Sequence, residues 1–159
     1  MTTFRYHSTQ TSMSVFSSPE FHKYAMGPAI KGTIAGVAGQ LYMGGSIEKV
    51  PLFGMAVSPG VIFGVTVAAG SITSELAHDF VLDKIHGNGR WAAAEKMALA
   101  PALTAAGSIG AGYLLIGALD ARGMLELAAL GAGSEVAGAY THGFVMSAIN
   151  GSSAVSAVM

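Results

Sequence analysis

Four long stretches of this sequence are apolar and almost free of charge, and they limit the possible folds more than any other feature. They cover residues 29–47, 52–85, 97–119 and 124–149. At 1.5 Å per residue, each is long enough to cross a hydrocarbon core of about 30 Å as a helix. Only 11% of the 159 residues are charged, against about 25% in a soluble domain. The sequence therefore predicts an all-α integral membrane bundle of about four transmembrane helices.

Most charged residues lie in short turns between these stretches or in the polar segment 78–96, which overlaps the end of the second stretch. The segment Ser58-Pro59-Gly60 interrupts the second stretch, and we expect Pro59 to break or kink a helix there. With four spans, both termini and the central polar segment lie on one side, which the positive-inside tendency makes the cytoplasmic or equivalent side. That side carries Arg5, Lys23, Lys84, Arg90 and Lys96, whereas the opposite turns carry only Lys49 and Arg122.

The two halves of the chain resemble each other. A shift of 73 residues aligns the first helix of each half, and a shift of 60 residues places Ser74-Glu75 on Ser134-Glu135. The first half is longer by 13 residues around positions 50–62. Such a repeat predicts two tandem helical hairpins related by a pseudo-twofold axis along the membrane normal. The predicted segments are a polar arm (1–25), the first hairpin (26–77), a polar interfacial loop (78–96), the second hairpin (97–149) and a tail (150–159).

Glu75 and Glu135 are the acidic residues that most need an explanation. Glu135 lies near the middle of an apolar stretch, and the repeat places Glu75 at the equivalent position. An ionised carboxylate in mid-bilayer is costly, so each should be protonated, paired or turned toward the bundle interior. One interpretation is a proton- or ion-linked site that includes Asp79, one turn beyond Glu75, and His142, on the same face as Glu135.

The alternative interpretation of this intramembrane polar pair is structural. Each glutamate, with Ser74 or Ser134 beside it, would form a buried hydrogen bond across its hairpin or with the other glutamate. Lys31, near the start of the first span, could neutralise one of these acids. We expect it instead to extend its charged end to the interface.

Glycine motifs predict close helix packing. Gly32 and Gly36 form a GxxxG pattern, as do Gly60 and Gly64, and Gly107 belongs to a third cluster. In a membrane span this spacing lets two backbones approach closely. Trp91, the only tryptophan, precedes the third span, where an anchor at the level of the lipid headgroups is expected.

Several functional classes are disfavoured. The chain has no cysteine, which excludes disulfides and thiolate chemistry. Its five histidines show no close ligand spacing, and a cofactor would need two of them on facing helices, so we expect no metal and no cofactor. Recognised catalytic motifs are missing, and basic residues are not clustered, so neither an enzyme nor a nucleic-acid-binding protein is expected.

The Gly/Ala-rich helices that contain GSITSELAHDFVLDKI and LGAGSEVAGAYTHGFV show a duplicated pattern over residues 28–149. This pattern resembles small multi-span proteins of the inner membrane and minor capsid layer of large icosahedral double-stranded DNA viruses. The resemblance implies a structural, non-enzymatic protein of the virion that links the internal membrane to the capsid shell. It also implies that the polar arm and central loop contact capsid or membrane proteins.

Two other classes share this composition. One is a small accessory subunit of a respiratory, photosynthetic or protein-import complex in a mitochondrial or other organelle membrane. The four glycine-rich spans predicted for this chain are similar to those of the mitochondrial protein-import family. That family's Arg and Asp motif between the second and third spans has no counterpart here. The other class is a small proton- or ion-conducting protein that uses Glu75 and Glu135.

Overall fold

A computed structural model describes residues 18–43, 50–52, 55–86 and 90–149, which form four helices and one β-hairpin. Helix α1 joins the turn Pro19–Phe21, the π-helical turn His22–Met26 and the α-helix Gly27–Tyr42. Strands β1 (Val50–Leu52) and β2 (Met55–Val57) follow. Helix α2 joins Pro59–Ala77, the π-helical turn His78–Leu82 and Asp83–His86. Helices α3 (Arg90–Ile116) and α4 (Ala121–Ile149) complete the fold.

Local sequence signals fix the ends of these helices. The Ser18 hydroxyl accepts a hydrogen bond from the Phe21 amide (3.1 Å) and caps α1. Helix α3 ends at Ile116 and is followed by Gly117, whose φ of +89° lies in the left-handed region that glycine adopts without strain. Three residues later, Asp120 accepts a hydrogen bond from the Gly123 amide (2.7 Å) and caps α4. This tight turn makes α3 and α4 antiparallel neighbours.

The helices form a ring in which neighbours run antiparallel, and α2 also contacts α4 across the centre. Each helix therefore packs on its hairpin partner and on one helix of the other hairpin, as a pseudo-twofold arrangement requires. The facing pairs include Gly32 and Gly64 (α1–α2), Gly70 and Gly107 (α2–α3), Gly112 and Leu127 (α3–α4), and Lys31 and Glu135 (α1–α4). The structure thus has the predicted all-α architecture.

The stretch before α2 differs from the sequence-based prediction. Residues 52–57 were expected to continue an apolar helix, but β1 and β2 pair antiparallel here, with Val50 opposite Val57. Pro59 starts α2 at its first turn, because a proline is tolerated there and breaks a helix interior. The β-hairpin lies where the first half of the repeat is longer than the second, so it is an insertion into the first helical hairpin.

The polar segments also differ from the prediction. The expected loop over residues 78–96 is largely helical, because α2 continues to His86 and α3 begins at Arg90. Part of the expected polar arm, from Pro19 onward, belongs to α1. Residues 1–17, the tail 150–159 and the side chain of the expected anchor Trp91 lie outside the described residues.

Two helical segments, Pro59–Leu82 and Met97–Ile116, are long and apolar enough to cross a membrane. They lie in α2 and α3, which pack against each other. Among the described residues, α1 and α4 do not meet the same criterion of length and hydropathy. Both contain charged residues within the helix, among them Lys31 and Glu135, which lower their mean hydropathy.

Buried and exposed side chains are distributed in reverse of a water-soluble protein. Among the described residues, only four apolar side chains are buried, whereas eight polar or charged ones are. Nineteen large apolar side chains are exposed, and they lie on all four helices, on β2 and at Met43, directly after α1. The most exposed of these are Leu41, Met97, Leu114, Leu125 and Tyr140. Soluble monomers rarely expose such extensive apolar surface, so this surface needs a cover other than water.

Candidate functional site

A buried ion pair joins the two helical hairpins at the middle of α4. The Lys31 ammonium donates to Glu135 Oε1 at 2.6 Å, and the Thr104 hydroxyl donates to Glu135 Oε2 at 2.8 Å. Lys31 is 8% exposed, Glu135 9% and Thr104 0%. Both carboxylate oxygens therefore have a donor, which meets the requirement for a charge to remain buried. The three residues connect α1, α3 and α4.

Gly138 makes room for the lysine in this pair. A Cβ at Gly138 would lie 2.5 Å from Lys31 Cγ, which is shorter than van der Waals contact. The aliphatic stem of Lys31 therefore crosses α4 directly over a glycine, one turn from Glu135. This placement keeps Lys31 inside the bundle, in contrast to the expected extension to the interface.

A second polar cluster lies where α1 begins and α2 ends. Lys23 and Tyr24, in the π-helical turn of α1, both donate to the Asp79 carboxylate in the π-helical turn of α2. The Lys23 ammonium also lies 3.8 Å from Glu75 Oε2. π-Helical turns are rare and often occur at functional sites, and here two of them meet through their polar side chains.

These contacts change the acid–base properties of both donors. Burial lowers the pKa of the Lys23 ammonium, but the hydrogen bond to Asp79 and the negative charges of Asp79 and Glu75 together outweigh this effect, so the pKa is raised. The hydrogen bond to Asp79 likewise raises the pKa of the Tyr24 hydroxyl. Lys23 therefore stays charged and Tyr24 stays neutral at physiological pH, which preserves the contact between α1 and α2.

A third cluster lies further along α2. The ligand atoms of His78, Asp79 and Asp83 are all within 4.8 Å of one another. His78 Nδ1 lies 3.2 Å from Asp83 Oδ1. Asp79 is already bonded to Lys23 and Tyr24, so the cluster is tied to the contact between α1 and α2.

A cleft of about 410 Å³ connects the first two sites. Its polar lining consists of His22, Lys23, Lys31, Glu75, Glu135 and His142. His22 of α1 and His142 of α4 lie edge to face, with ring centroids 5.7 Å apart. The cleft therefore collects two lysines, two glutamates and two histidines between one end of the bundle and its middle.

The structure brings the expected polar pair to one cleft but gives the serines other partners. Glu135 bonds to Lys31 and Thr104, while Glu75 lies beside Lys23. The Ser134 hydroxyl donates to the Gly131 carbonyl at 3.0 Å, within its own helix. The Ser74 hydroxyl donates to the Ala100 carbonyl of α3 at 3.5 Å.

The glycine motifs lie at the α1–α2 crossing. A Cβ at Gly32 would lie 2.6 Å from the Gly64 carbonyl oxygen, and one at Gly36 would lie 2.8 Å from that of Gly60. Gly107 of α3 packs against the backbone of α2, where a Cβ would lie 2.9 Å from Gly70 Cα. Any side chain at these positions would force two backbones apart, so the small residues set the helix spacing.

Sequence reasoning missed Thr104 as a partner of Glu135. The 73-residue shift that aligns the two halves places Thr104 on Lys31, so the repeat contained a signal for this residue. Sequence reasoning also missed the contact of Lys23 and Tyr24 with Asp79. Both donors were assigned to the polar arm (1–25), which was expected to contact partner proteins rather than the helices of the bundle.

No protein-family model matches the sequence, and no curated protein or solved structure is significantly similar to it. Function must therefore be inferred from the geometry of the bundle.

Proposed function

We propose that the chain is an integral membrane protein that crosses the bilayer four times and acts as a structural subunit of a larger assembly. The observation that carries this proposal is the reversed distribution of side chains. Apolar residues are exposed on all four helices, including α1 and α4, while hydroxyls and an ion pair occupy the interior. Apolar side chains can face lipid tails without the free-energy cost of exposing them to water.

The bundle interior favours a scaffold over a conducting pore. Beyond the cleft, glycine backbones touch, and Val67 and Leu127 are completely or almost completely buried. The buried hydroxyls of Thr66 and Ser108 donate to carbonyls of their own helices, so they need no water. A continuous aqueous path is not expected through such an interior.

Cysteine accessibility tests the four-span arrangement. Because the chain has no cysteine, a single substitution gives a unique label. We expect Val37→Cys in α1 and Val136→Cys in α4 to resist a membrane-impermeant maleimide in intact vesicles. Lys84→Cys and Arg122→Cys, at opposite ends of the bundle, should react from opposite sides of the membrane. If Val136→Cys reacts as readily as Lys84→Cys, α4 lies outside the bilayer and the four-span proposal fails.

We propose that the larger assembly is a virion with an internal membrane, in which the chain would link the bilayer to the capsid shell. The support for this step is the resemblance of residues 28–149 to inner-membrane and minor capsid proteins. Purification of the native particle or complex in mild detergent tests it. Copurifying capsid proteins would support the proposal, whereas respiratory, photosynthetic or import subunits would replace it with an accessory role in that complex.

Ion or proton transfer is a second candidate, favoured by the cleft that leads to Glu135. In that case, changing both Glu75→Gln and Glu135→Gln should abolish proton flux into proteoliposomes that contain the purified chain. For a scaffold, the wild-type chain itself should carry no flux above that of empty liposomes. Measurable wild-type flux that the double substitution removes would overturn the structural role.

A further inference from the structure

Aromatic side chains are exposed at both ends of the bundle, and the first group lies beside the α3–α4 turn. Tyr42 of α1 is 60% exposed and Tyr113 of α3 is 42% exposed. The Tyr113 hydroxyl donates to the Leu119 carbonyl at 3.4 Å, and the Tyr42 hydroxyl accepts from the exposed Arg122 guanidinium at 3.4 Å. Each ring is thus exposed beside the helices while its hydroxyl is bonded to the polar turn.

The second group lies at the other end of the bundle and consists of Phe80 (63% exposed), Tyr140 (75%) and Phe144 (62%). Contacts with the start of α1 show that the three rings share one level. Asp79, the neighbour of Phe80, bonds to Lys23. His142 lies midway between the two α4 rings and packs against His22. Because His22 and Lys23 are adjacent, the three rings lie within about one helical turn of one another along the bundle.

The distance between the two levels matches the apolar core of a bilayer. The Tyr113 hydroxyl lies 3.8 Å from the Met124 sulfur, so Met124 marks the first level on α4. At 1.5 Å per residue, α4 covers about 24 Å from Met124 to Tyr140 and about 30 Å to Phe144. A typical hydrocarbon core is about 30 Å thick. Aromatic residues are enriched at its two interfaces, where a tyrosine keeps its ring in an apolar setting and its hydroxyl in a wet one.

The two apolar spans end at the same levels. The span Met97–Ile116 of α3 ends three residues beyond Tyr113, and the span Pro59–Leu82 of α2 ends two residues beyond Phe80. The exposed aromatic residues of α1 and α4 are a separate observation, because neither helix meets the hydropathy criterion. All four helices therefore give the same two boundaries.

We propose that the two aromatic groups are interfacial belts that fix the depth of the bundle in a lipid bilayer. Tyr42 and Tyr113 lie at the headgroups of one leaflet, and the second group lies at the headgroups of the other. The Lys31–Glu135 pair then lies inside the hydrocarbon core, with Glu135 about 8 Å along α4 from Tyr140. This depth assignment rests on the proposed four-span arrangement and adds the level at which each helix meets the headgroups.

Nitroxide labels on single cysteines, placed in liposomes that contain the full chain, test the belts. The chain has no cysteine, so each label is unique. Depth is read from the accessibility of the label to oxygen, which concentrates in hydrocarbon, relative to a water-soluble nickel chelate. Ala106 is exposed at the middle of the α3 span. A label at Ala106→Cys should lie about 12–15 Å deeper than labels at Tyr113→Cys and Tyr140→Cys.

A label at Val136 separates the belts from the four-span arrangement. Val136 is 52% exposed, one turn before Tyr140, so its label should lie about 6 Å deeper. If both α4 labels are in water while the Ala106 label is in hydrocarbon, α4 does not cross and the four-span arrangement fails. If the Val136 label is in hydrocarbon but the Tyr113 or Tyr140 label is as deep as that at Ala106, the belts are wrong and the four spans stand. Leu114→Cys, 86% exposed beside Tyr113, replaces Tyr113→Cys if that variant does not fold by circular dichroism.

Discussion

Replacing Glu135 with alanine is expected to destabilise the bundle by about 3–5 kcal/mol. The substitution leaves the Lys31 ammonium buried without its carboxylate, and the Thr104 hydroxyl loses its acceptor. An uncompensated charge costs far more than the pair itself contributes, because the desolvation of the remaining ion is no longer offset. Reversible unfolding in mixed detergent micelles, followed by circular dichroism, measures the change.

A double substitution separates the cost of the unpaired charge from the loss of packing. Lys31→Met combined with Glu135→Leu removes both charges and should recover most of the lost stability. Glu126→Ala is the matched control on the same helix. It breaks the Arg122–Glu126 pair, in which Arg122 is exposed, and should cost only about 0.3–0.5 kcal/mol. Equal losses from Glu135→Ala and Glu126→Ala would contradict a buried pair.

Gly32→Ala is the second substitution with a large expected effect. The new methyl group would lie 2.6 Å from the Gly64 carbonyl oxygen and 2.9 Å from Ala68 Cβ, so α1 and α2 would have to separate. Overpacking of this kind costs about 1–3 kcal/mol, despite the better helix propensity of alanine. The same unfolding measurement reports the loss.

Gly133→Ala is the control for this change, because a Cβ at Gly133 meets nothing within 4 Å. It should be neutral or stabilise the chain by up to about 1 kcal/mol, since alanine favours the helix. If both substitutions have the same effect, the backbones of α1 and α2 are not in contact. In that case the two GxxxG motifs would have no role in packing.

The sequence predicted those features of the fold that depend on local pattern. Helical hydrophobic stretches, the role of Pro59 as a helix boundary and the glycine spacing are all properties of short segments. The 13-residue difference between the halves located the β-hairpin without revealing its structure. A short run of apolar residues fits a helix and a strand equally well, so periodicity alone could not choose between them.

The features that were missed depend on pairing between distant segments. Lys31 and Glu135 are 104 residues apart, and Lys23 and Asp79 are 56 residues apart. A hydropathy profile scores each charged residue by itself, without its partner. This is why the Lys31 ammonium was expected to extend to the interface. Only the packing of α1 on α4, with Gly138 beneath the lysine stem, shows that its charge stays inside.

The location of the Lys31–Glu135 pair has a consequence for biogenesis. Lys31 belongs to the first helical hairpin and Glu135 to the second, whereas the buried hydroxyls of Thr66, Ser108 and Ser134 are satisfied within their own helices. Under the proposed four-span arrangement, a hairpin that entered the bilayer alone would carry one of these two charges without its partner, which is costly in lipid. We therefore expect hairpins that have not yet packed together to differ from the completed bundle by one unpaired charge in each half.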